Sequence, residues 1–391
     1  MFERFEPLPT DPILGLSLAY KQDTNPQKVD LGVGVYKDEA GNTPVLASVT
    51  AAQSRCHELE TTKAYEGPAG NDSFNSEITQ LIFGADSAQL ERVKTLQTPG
   101  GCGALRVAAE LINRATPGAT IWVSRPTWAN HIPLLSSAGL KIKEYPYYDA
   151  ASQSIDRQGM LDCLAKVPAG DLVLLHGCCH NPCGTDLSLD DWQQIADLAN
   201  KNGFTPFVDL AYQGFGDGLE EDAQGLRLLA GAVPELVVAS SCSKNFGLYR
   251  ERVGALSIMG NSPVAAANTF GQMQSVARGI YSMPPSHGAA LVATILTDTA
   301  LRQQWEGEVA EMRVRIKQLR EDLSAALAPF GDFGFIPQQR GMFSFLGLSE
   351  AQVERLKNEF SVYMVGSSRI NLAGINQQNL PYLAESIGKV L

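Results

Sequence analysis

The sequence has little of what marks several large classes of protein. Its formal net charge is −11, so neither nucleic acid nor an anionic membrane surface is expected as a partner of the whole molecule. It holds no uninterrupted apolar run of the length that crosses a bilayer. Its start, MFERFEPLPTDPILGL, has two glutamates and three prolines where a secretory signal has a basic end and an apolar core. These absences favour a location in the cytoplasm.

Cysteine is scarce and unevenly placed. There are seven cysteines, an odd number, and Cys178 and Cys179 are neighbours, which fits reduced thiols better than a disulfide framework. The segment HGCCHNPCG (176–184) offers several metal-ligand side chains. However, neighbours on a strand point to opposite faces, and no second ligand pair with CxxC spacing exists. We therefore expect no metal site.

Strand-like and helix-like segments alternate from about residue 98 to 260. The helix-like stretch DDWQQIADLANK places Trp192, Ile195, Ala196 and Ala199 on one face, as an amphipathic crossover helix does. This rhythm predicts an α/β fold with a mostly parallel sheet sandwiched by helices. The predicted strands are 120–124, 141–147, 171–176, 205–210, 236–240 and 253–259.

The C-terminal part has a different pattern. TALRQQWEGEVAEMRVRIKQLREDLSAALAPF has helical period and no internal breaker, so it predicts an unusually long helix. Short strands at 342–346 and 362–365 and a last helix then predict a smaller α+β domain. The predicted domains are an N-terminal arm (1–12), a small domain in two parts (13–44 and 312–391) and a large domain (45–311).

Several polar segments follow the predicted strands. Ligands of open α/β sheets bind beyond the carboxyl ends of the strands. PGGCGALR (99–106) opens a helix with glycines that let backbone N–H groups approach a phosphate, although a plain turn has the same pattern. Asp209 ends a strand, with Tyr212 three residues on; its alternative role is to cap the following turn. Asn181 lies in a turn at a third strand end.

Lys244 in SSCSKNFG follows the apolar run 236–239. A lone lysine in such a place is ordinarily a surface residue. Here the same sheet edge offers a phosphate cradle, an acidic side chain, an asparagine and Arg252 as a second anion partner. A desolvated lysine near cations has a lowered pKa and becomes a nucleophile toward an aldehyde. Together these parts describe a pyridoxal phosphate site, with a carboxylate at the ring nitrogen.

The motifs that carry this chemistry also carry a family resemblance. The chain resembles the class I aminotransferases of the aspartate and aromatic amino acid group, which are fold-type I pyridoxal phosphate enzymes. The resemblance covers essentially the whole chain. Its motifs are DPILGL, LGVGVYKDEAG, TTKAYEG, TPGGCGALR, HGCCHNPCG, DLAYQGFGDGLEEDA, SCSKNFGLYRERVG, GMFSFLGL and SSRINLAG.

The resemblance assigns catalytic roles to Lys244, Asp209, Tyr212 and Trp128, and cofactor-binding roles to these and further residues. It implies that Lys244 is the Schiff-base lysine and proton shuttle, and that Asp209 keeps the pyridine nitrogen protonated. It implies that Asn181 and Tyr212 hydrogen-bond the phenolic oxygen of the cofactor, and that Trp128 stacks on its ring. In the same way His131 and His176 support Asp209. The implied phosphate ligands are Ser241, Arg252, Gly101, Cys102 and, from a neighbouring subunit of a homodimer with shared active sites, Tyr65.

Substrate carboxylates suit arginine, whose guanidinium binds them bidentately. The resemblance implies that Arg369 binds the α-carboxylate and that Arg278, from the other subunit, binds a distal carboxylate. Gly34, Asn181 and Trp128 are further implied substrate contacts. Cys102 and Cys183 depart from the family pattern, since hydroxyl residues usually stand there. At Cys102, beside the implied phosphate, the loss of one hydroxyl hydrogen bond is expected to lower the affinity for the cofactor.

The predicted activity is ping-pong transamination between aspartate and 2-oxoglutarate, so the expected partners are amino acids and 2-oxo acids. Val35, Lys37 and Thr43 resemble the aspartate-preferring members, whereas Ala64 and Met283 match neither type. Aromatic amino acids as the main donors stay open as an alternative. A pyridoxal phosphate lyase or decarboxylase is a second alternative. A non-catalytic ligand sensor on the same fold is a third, although no basic helix-turn-helix stretch precedes DPILGL.

Overall fold

The computed structural model describes residues 1–7 and 12–391. Part of the predicted N-terminal arm and the start of DPILGL lie outside the described residues. The strands are β1 (Val29–Asp30), β2 (Val93–Pro99), β3 (Thr120–Arg125), β4 (Lys141–Pro146), β5 (Tyr148–Asp149), β6 (Ser154–Ile155), β7 (Leu172–His176), β8 (Thr205–Leu210), β9 (Leu236–Ser241), β10 (Val253–Met259), β11 (Phe343–Phe345), β12 (Val362–Tyr363) and β13 (Arg369–Asn371).

The α-helices cover much of the remaining chain. They are α1 (Pro12–Gln22), α2 (Ala47–Leu59), α3 (Asp72–Phe83), α4 (Gly100–Ala115), α5 (His131–Ser137), α6 (Arg157–Leu164), α7 (Leu189–Asn202), α8 (Gln224–Ala232), α9 (Pro263–Ile280), α10 (Ser286–Thr297), α11 (Thr299–Leu327), α12 (Glu350–Phe360) and α13 (Leu380–Val390). Short 3₁₀ helices are Phe2–Arg4, Leu90–Arg92, Glu221–Ala223, Ile336–Gln338 and Leu372–Gly374.

The chain divides into two compact units. We call them the large unit (44–315 and 339–341) and the small unit (1–43, 316–338 and 342–391). The predicted long helix is present as α11, which begins in the large unit and ends in the small one. The finer division into an arm, a split small domain and a large domain stays a prediction.

A seven-stranded sheet forms the centre of the large unit. Its strand order is β2-β10-β9-β8-β7-β3-β4, and the neighbours from β9 to β4 pair in parallel. The prediction of an α/β fold with a mostly parallel sheet is therefore confirmed. β10 is the exception, because it pairs antiparallel with both β2 and β9.

Strand β2 was missed by the sequence pattern. It reads VKTLQTP, and its polar side chains conceal a strand that is buried over most of its length. The structure shows how these polar groups are satisfied. The Thr95 hydroxyl lies 2.8 Å from that of Ser257 on β10, and the Gln97 side-chain amide donates to the Pro285 carbonyl at 2.7 Å. Hydropathy alone cannot detect such pairing.

The helices on the sheet form where the sequence predicts them. In α7, Ser188 and Asp191 form a reciprocal N-terminal cap, and Gly203 ends the helix in the left-handed region at φ 78°. Only glycine adopts that conformation without strain. The apolar face Trp192, Ile195, Ala196 and Ala199 is buried, as predicted. Helix α4 packs its Leu105, Ala108 and Ala109 into the core on the sheet.

The small unit has its own core. Parallel β1 and β12 and antiparallel β11 and β13 form two separate two-stranded sheets. Buried apolar side chains of α11, α12 and α13 pack with them. The two predicted C-terminal strands are shorter than expected, because pairing is confined to 343–345 and 362–363.

All seven cysteines lie in the described part of the chain, and none forms a disulfide. Among residues 1–7 and 12–391, no helix combines the length and the apolar character that crossing a membrane requires.

Candidate active site

The parallel strands bring the predicted chemical groups to one edge of the central sheet. His176 ends β7 and pairs in register with Asp209 on β8. The next strand, β9, ends at Ser241, and Lys244 follows three residues later. Because parallel strands share one direction, their carboxyl ends meet at the same edge. Residues far apart in the chain are thus gathered by sheet topology.

A directed relay of hydrogen bonds ends on the carboxylate of Asp209. Nε2 of His131 lies 2.9 Å from Oδ2 of Asp209. The Thr127 hydroxyl lies 2.7 Å from Nδ1 of His131 and 3.1 Å from Nε2 of His176. A carboxylate only accepts, so Nε2 of His131 donates to it, and whenever the His131 ring carries one proton its Nδ1 accepts from Thr127. Thr127 in turn accepts from His176. Of the two predicted supports, His131 contacts Asp209 directly and His176 acts through Thr127.

The electrostatics of this relay favour an ionised Asp209. Burial by itself would raise the pKa of this carboxyl. The hydrogen bond from His131 and nearby charges, Lys244 among them, outweigh burial and hold the pKa of Asp209 below its usual range. Burial, helped by the neighbouring His131, lowers the pKa of His176 to about 3. His176 is therefore a neutral hydrogen-bonding group.

Lys244 is half-buried, and its ammonium nitrogen lies 4.5 Å from the centre of the Tyr212 ring. Burial lowers the pKa of Lys244, and the charge of Arg252 acts in the same direction. Asp209 and Cys102 oppose both effects without reversing them. A lysine with a lowered pKa has more of the neutral amine, which is the form that attacks carbonyl carbon and accepts protons.

A cup with donors on its wall forms where α4 begins beside the end of β9. Gly100 has φ 70°, and a Cβ atom at this position would collide with the guanidinium of Arg252. A Cβ atom at Gly101 would lie 3.2 Å from that of Ser241. Arg252 also approaches the Ser243 hydroxyl at 3.4 Å. Two adjacent glycines, a helix N-terminus, hydroxyls and a guanidinium are the donor set that a phosphate group requires.

The two cysteines that depart from the family pattern have different surroundings. Cys102 is half-buried in the first turn of α4, where Nδ2 of Asn130 lies 3.9 Å from its sulfur. Cys183 is fully buried. The Cys183 sulfur lies 3.1 Å from Nδ1 of His180 and 2.9 Å from the Thr185 hydroxyl. Burial raises the pKa of the Cys183 thiol to about 12. Cys183 therefore acts as a neutral hydrogen-bonding group in a buried network.

The other residues predicted in the large unit fall into two groups. Trp128 packs edge-on against His131, with ring centres 5.2 Å apart, and Asn181 is buried just beyond β7. Tyr65, by contrast, is 95 % exposed, and Arg278 is exposed near the end of α9. The contacts around Asp209 and Lys244 given above include neither Tyr65 nor Arg278.

The predicted Arg369 lies in the small unit, where Gly32 and Phe343 fix its side chain. Arg369 lies on β13, is buried, and donates to the Gly32 carbonyl at 2.6 Å. Its guanidinium carbon is 4.6 Å from the centre of the Phe343 ring. A Cβ atom at Gly34 would lie 3.0 Å from Phe343, so glycine allows the 32–35 segment to pack closely there. A buried guanidinium fixed in this way is poised for a carboxylate.

Sequence reasoning missed three residues that the structure places in these contacts. Thr127 joins two histidines from different elements, and although the resemblance places both histidines near Asp209, nothing in the sequence marks Thr127 as the residue that links them. Phe343 lies under Arg369 but reads as an ordinary core residue of a short strand. Ser243 was detectable in part, since the hydroxyl-rich SSCSK stands out in the sequence.

Comparisons with known proteins agree with one another and cover most or all of the chain. The family described as aminotransferase class I and II matches residues 26–387. The aspartate aminotransferase of Haemophilus influenzae is 49% identical, with 100% of both chains covered. The aromatic-amino-acid aminotransferase of Pseudomonas aeruginosa is also 49% identical, over 100% of this chain and 98% of the other.

Solved structures give the same result. The aromatic-amino-acid aminotransferase of Burkholderia pseudomallei, a structure described as covalently bound to pyridoxal phosphate, matches with a TM-score of 0.98. It is 43% identical, and the match covers 100% of this chain and 99% of that one.

Proposed function

Because the chain belongs to the class I and II aminotransferases, we propose that it transfers the amino group of aspartate to 2-oxoglutarate, with pyridoxal phosphate as cofactor, in a ping-pong cycle. The observation that carries this proposal is that a lysine and a buried carboxylate lie at the same edge of the central sheet, and that their pKa values are shifted by their surroundings. Lys244 has a lowered pKa, and Asp209 stays ionised although it is buried.

The residues present fit this cofactor. The cup at Gly100, Gly101, Ser241 and Arg252 suits the phosphate, and Asp209 suits a protonated ring nitrogen. When bound, pyridoxal phosphate supplies a reactive aldehyde and a ring that withdraws electrons from the substrate α-carbon. Tyr65 is proposed as a further phosphate ligand from a second subunit.

The chain itself supplies binding, orientation and proton transfer. We assign to the amine of Lys244 the transfer of a proton between the substrate α-carbon and the C4′ atom of the cofactor. Asp209, oriented by His131, keeps a negative charge where a pyridinium proton needs a partner. Tyr212 and Asn181 would donate to the phenolic oxygen of a bound cofactor, and Trp128 would cover its ring. The side chains of Cys102 and Cys183 offer weaker hydrogen bonds than hydroxyls would.

Two arginines recognise the substrate in this proposal. Arg369 binds the α-carboxylate that all amino acids share, and Arg278 of a second subunit binds the distal carboxylate of aspartate or 2-oxoglutarate. Gly34, Asn181 and Trp128 complete the binding residues. Aromatic amino acids are the second candidate donors. That candidate is supported by relatives of both names at equal identity of 49%.

Borohydride labelling tests the assignment of Lys244. Purified protein supplied with pyridoxal phosphate is expected to be yellow, and adding aspartate is expected to bleach that band. Borohydride should fix the cofactor to the chain, and mass mapping should place the added mass on the peptide that contains Lys244. Label on another lysine, or on none, would contradict the proposal.

We also propose a homodimer in which each active site uses residues of both chains. Two predicted site residues, Tyr65 and Arg278, are exposed, and Leu59, which precedes Tyr65 in the same segment of the chain, is 76 % exposed as well. An exposed aromatic and an exposed leucine in one segment are more typical of an interface than of free surface. The proposed location is the cytoplasm, which reduced thiols suit.

Hybrid dimers test the shared sites. Lys244→Ala and Arg278→Asp chains with different affinity tags are coexpressed, and the hybrid is isolated on both tags. With shared sites, one of the two sites has native Lys244 and native Arg278, so about half of the wild-type activity toward aspartate returns. If each site lies within one chain, the hybrid holds no intact site, and its activity stays at the level of the parents.

A further inference from the structure

Two adjacent thiols and a carboxylate meet in the large unit, outside the residues assigned to the cofactor. The sulfurs of Cys178 and Cys179 and a carboxylate oxygen of Asp222 all lie within 4.8 Å of one another. All three residues are buried, with exposures of 6 %, 1 % and 7 %. We propose that this trio is a binding site for a soft divalent cation of the zinc and cadmium class, with the two sulfurs as principal ligands.

The backbone explains how neighbouring side chains come together. Strand β7 ends at His176, and Cys179 has φ 52°, so the alternation of faces along a strand does not apply to 178 and 179. The carboxylate of Asp186 accepts from the backbone N–H groups of Cys179 at 2.7 Å and His180 at 2.8 Å. The dithiol segment is therefore held in place before any ligand binds. This corrects the expectation, drawn from strand geometry, that these cysteines point apart.

The spacing of the trio suits one ion. Zinc–sulfur bonds are about 2.3 Å long, so two sulfurs on one tetrahedral zinc lie about 3.8 Å apart. The limit of 4.8 Å on every separation leaves only small side-chain movements for an ion to bridge the three. Thiolate ligands select zinc and its softer relatives over magnesium or calcium.

A cavity gives the site access and room for further ligands. It has a volume of about 580 Å³, and its lining includes Cys178, Asp186 and Asp222. Arg157 and Arg340 lie on the same lining, but each pairs with an aspartate of its own. The positive charges of the two arginines are therefore balanced by these aspartates and repel a bound cation less. Water from the cavity can fill the fourth position of a tetrahedral ion.

Asp222 also accepts hydrogen bonds from the backbone, and these limit how far its carboxylate can act as a metal ligand. Its oxygens accept from the backbone N–H groups of Gly214 at 2.8 Å, Gly216 at 2.9 Å and Asp217 at 2.8 Å. Most of its lone pairs are thus engaged in the 214–217 turn, and it contributes chiefly negative charge beside the sulfurs. In the binding step each thiol releases its proton to solvent, and two sulfur–metal bonds form. No oxidant or reductant takes part.

Cadmium retention tests the site in the complete, cofactor-loaded protein. After dialysis against a weak chelator, the wild type is expected to keep one Cd²⁺ per chain, measured by mass spectrometry of the metal. Cys178→Ser and Cys179→Ser should each lower the affinity on the order of 100-fold or more, and Asp222→Asn about tenfold. Cys56→Ser and Cys163→Ser, which alter the more accessible thiols, are the matched controls and should retain the ion.

X-ray absorption of the wild-type cadmium complex gives a measurement that depends on no variant. The expected spectrum has two sulfur neighbours, with oxygen completing the shell. Retention that is equal in the wild type and both serine variants would overturn the proposal. Absence of retained cadmium, or a spectrum without two sulfurs, would overturn it as well.

Discussion

Lys244→Ala is expected to reduce kcat for the transamination of aspartate on the order of 10⁴-fold or more. The reason is that the variant loses the only group proposed to move the α-proton, and positioned acid–base groups contribute up to about 10⁴-fold. Its nucleophilic role is lost at the same time. Steady-state kinetics with aspartate and 2-oxoglutarate measure the effect.

Lys143→Ala is the matched control for this variant. Its ammonium nitrogen lies 4.8 Å from the Trp122 ring centre, a contact like that of Lys244 with Tyr212 at 4.5 Å. Such contacts contribute about 0.5–2 kcal/mol, so each variant is expected to lose at most a modest amount of stability from this contact, while only Lys244→Ala loses activity. Lys244→Arg separates charge from proton transfer, because a guanidinium is not deprotonated in proteins. Activity retained by Lys244→Arg would show that position 244 supplies only a positive charge.

Arg278→Asp is expected to lower kcat/KM for aspartate by about 100-fold or more and for phenylalanine by less than about tenfold. The reversed charge leaves the distal carboxylate without a partner and beside a like charge, which costs about 3 kcal/mol or more in a desolvated site. Phenylalanine has no such carboxylate to lose. Parallel kinetics on aspartate, phenylalanine and tyrosine measure the ratio and also rank the donors.

Arg114→Asp controls for the change in overall charge. Arg114 is exposed and donates to Gln272 and Ser275 on α9, the helix that also holds Arg278. This variant makes the same charge reversal beside the same helix, and its kcat/KM values should stay near wild type for both substrates. Equal losses for aspartate and phenylalanine in Arg278→Asp would show that Arg278 does not read the side-chain carboxylate.

The sequence predicts the parts of this molecule that depend on local pattern. Apolar runs locate strands β3, β7, β8, β9 and β10, and helical period locates α7 and α11. Strand ends then mark Asp209 and Lys244, because ligand sites of such sheets lie beyond their carboxyl ends. The family resemblance adds the roles of residues that no local pattern singles out, such as Trp128 and Arg369.

What the sequence does not predict depends on contacts between distant segments. The antiparallel direction of β10 cannot be predicted from its apolar residues, since such residues suit a buried strand of either direction. The polar residues of β2 do not indicate that the strand is buried, because their hydrogen-bond partners lie in distant parts of the sequence. Thr127 gains its role only when β7 and the start of α5 come together. Cys178 and Cys179 meet because the chain leaves the strand conformation after His176.

The relay from His176 to Asp209 also limits which side chains can stand in it. Thr127 must donate one hydrogen bond to His131 and accept another from His176. Position 127 therefore requires a hydroxyl, and serine is the nearest substitute. Valine has the same shape but would leave Nδ1 of His131 without its donor and Nε2 of His176 without its acceptor, while Asp209 would still hold the tautomer of His131. A single methyl group in place of an oxygen would thus release the ring of His176, which lies three hydrogen bonds away from the carboxylate that the relay orients.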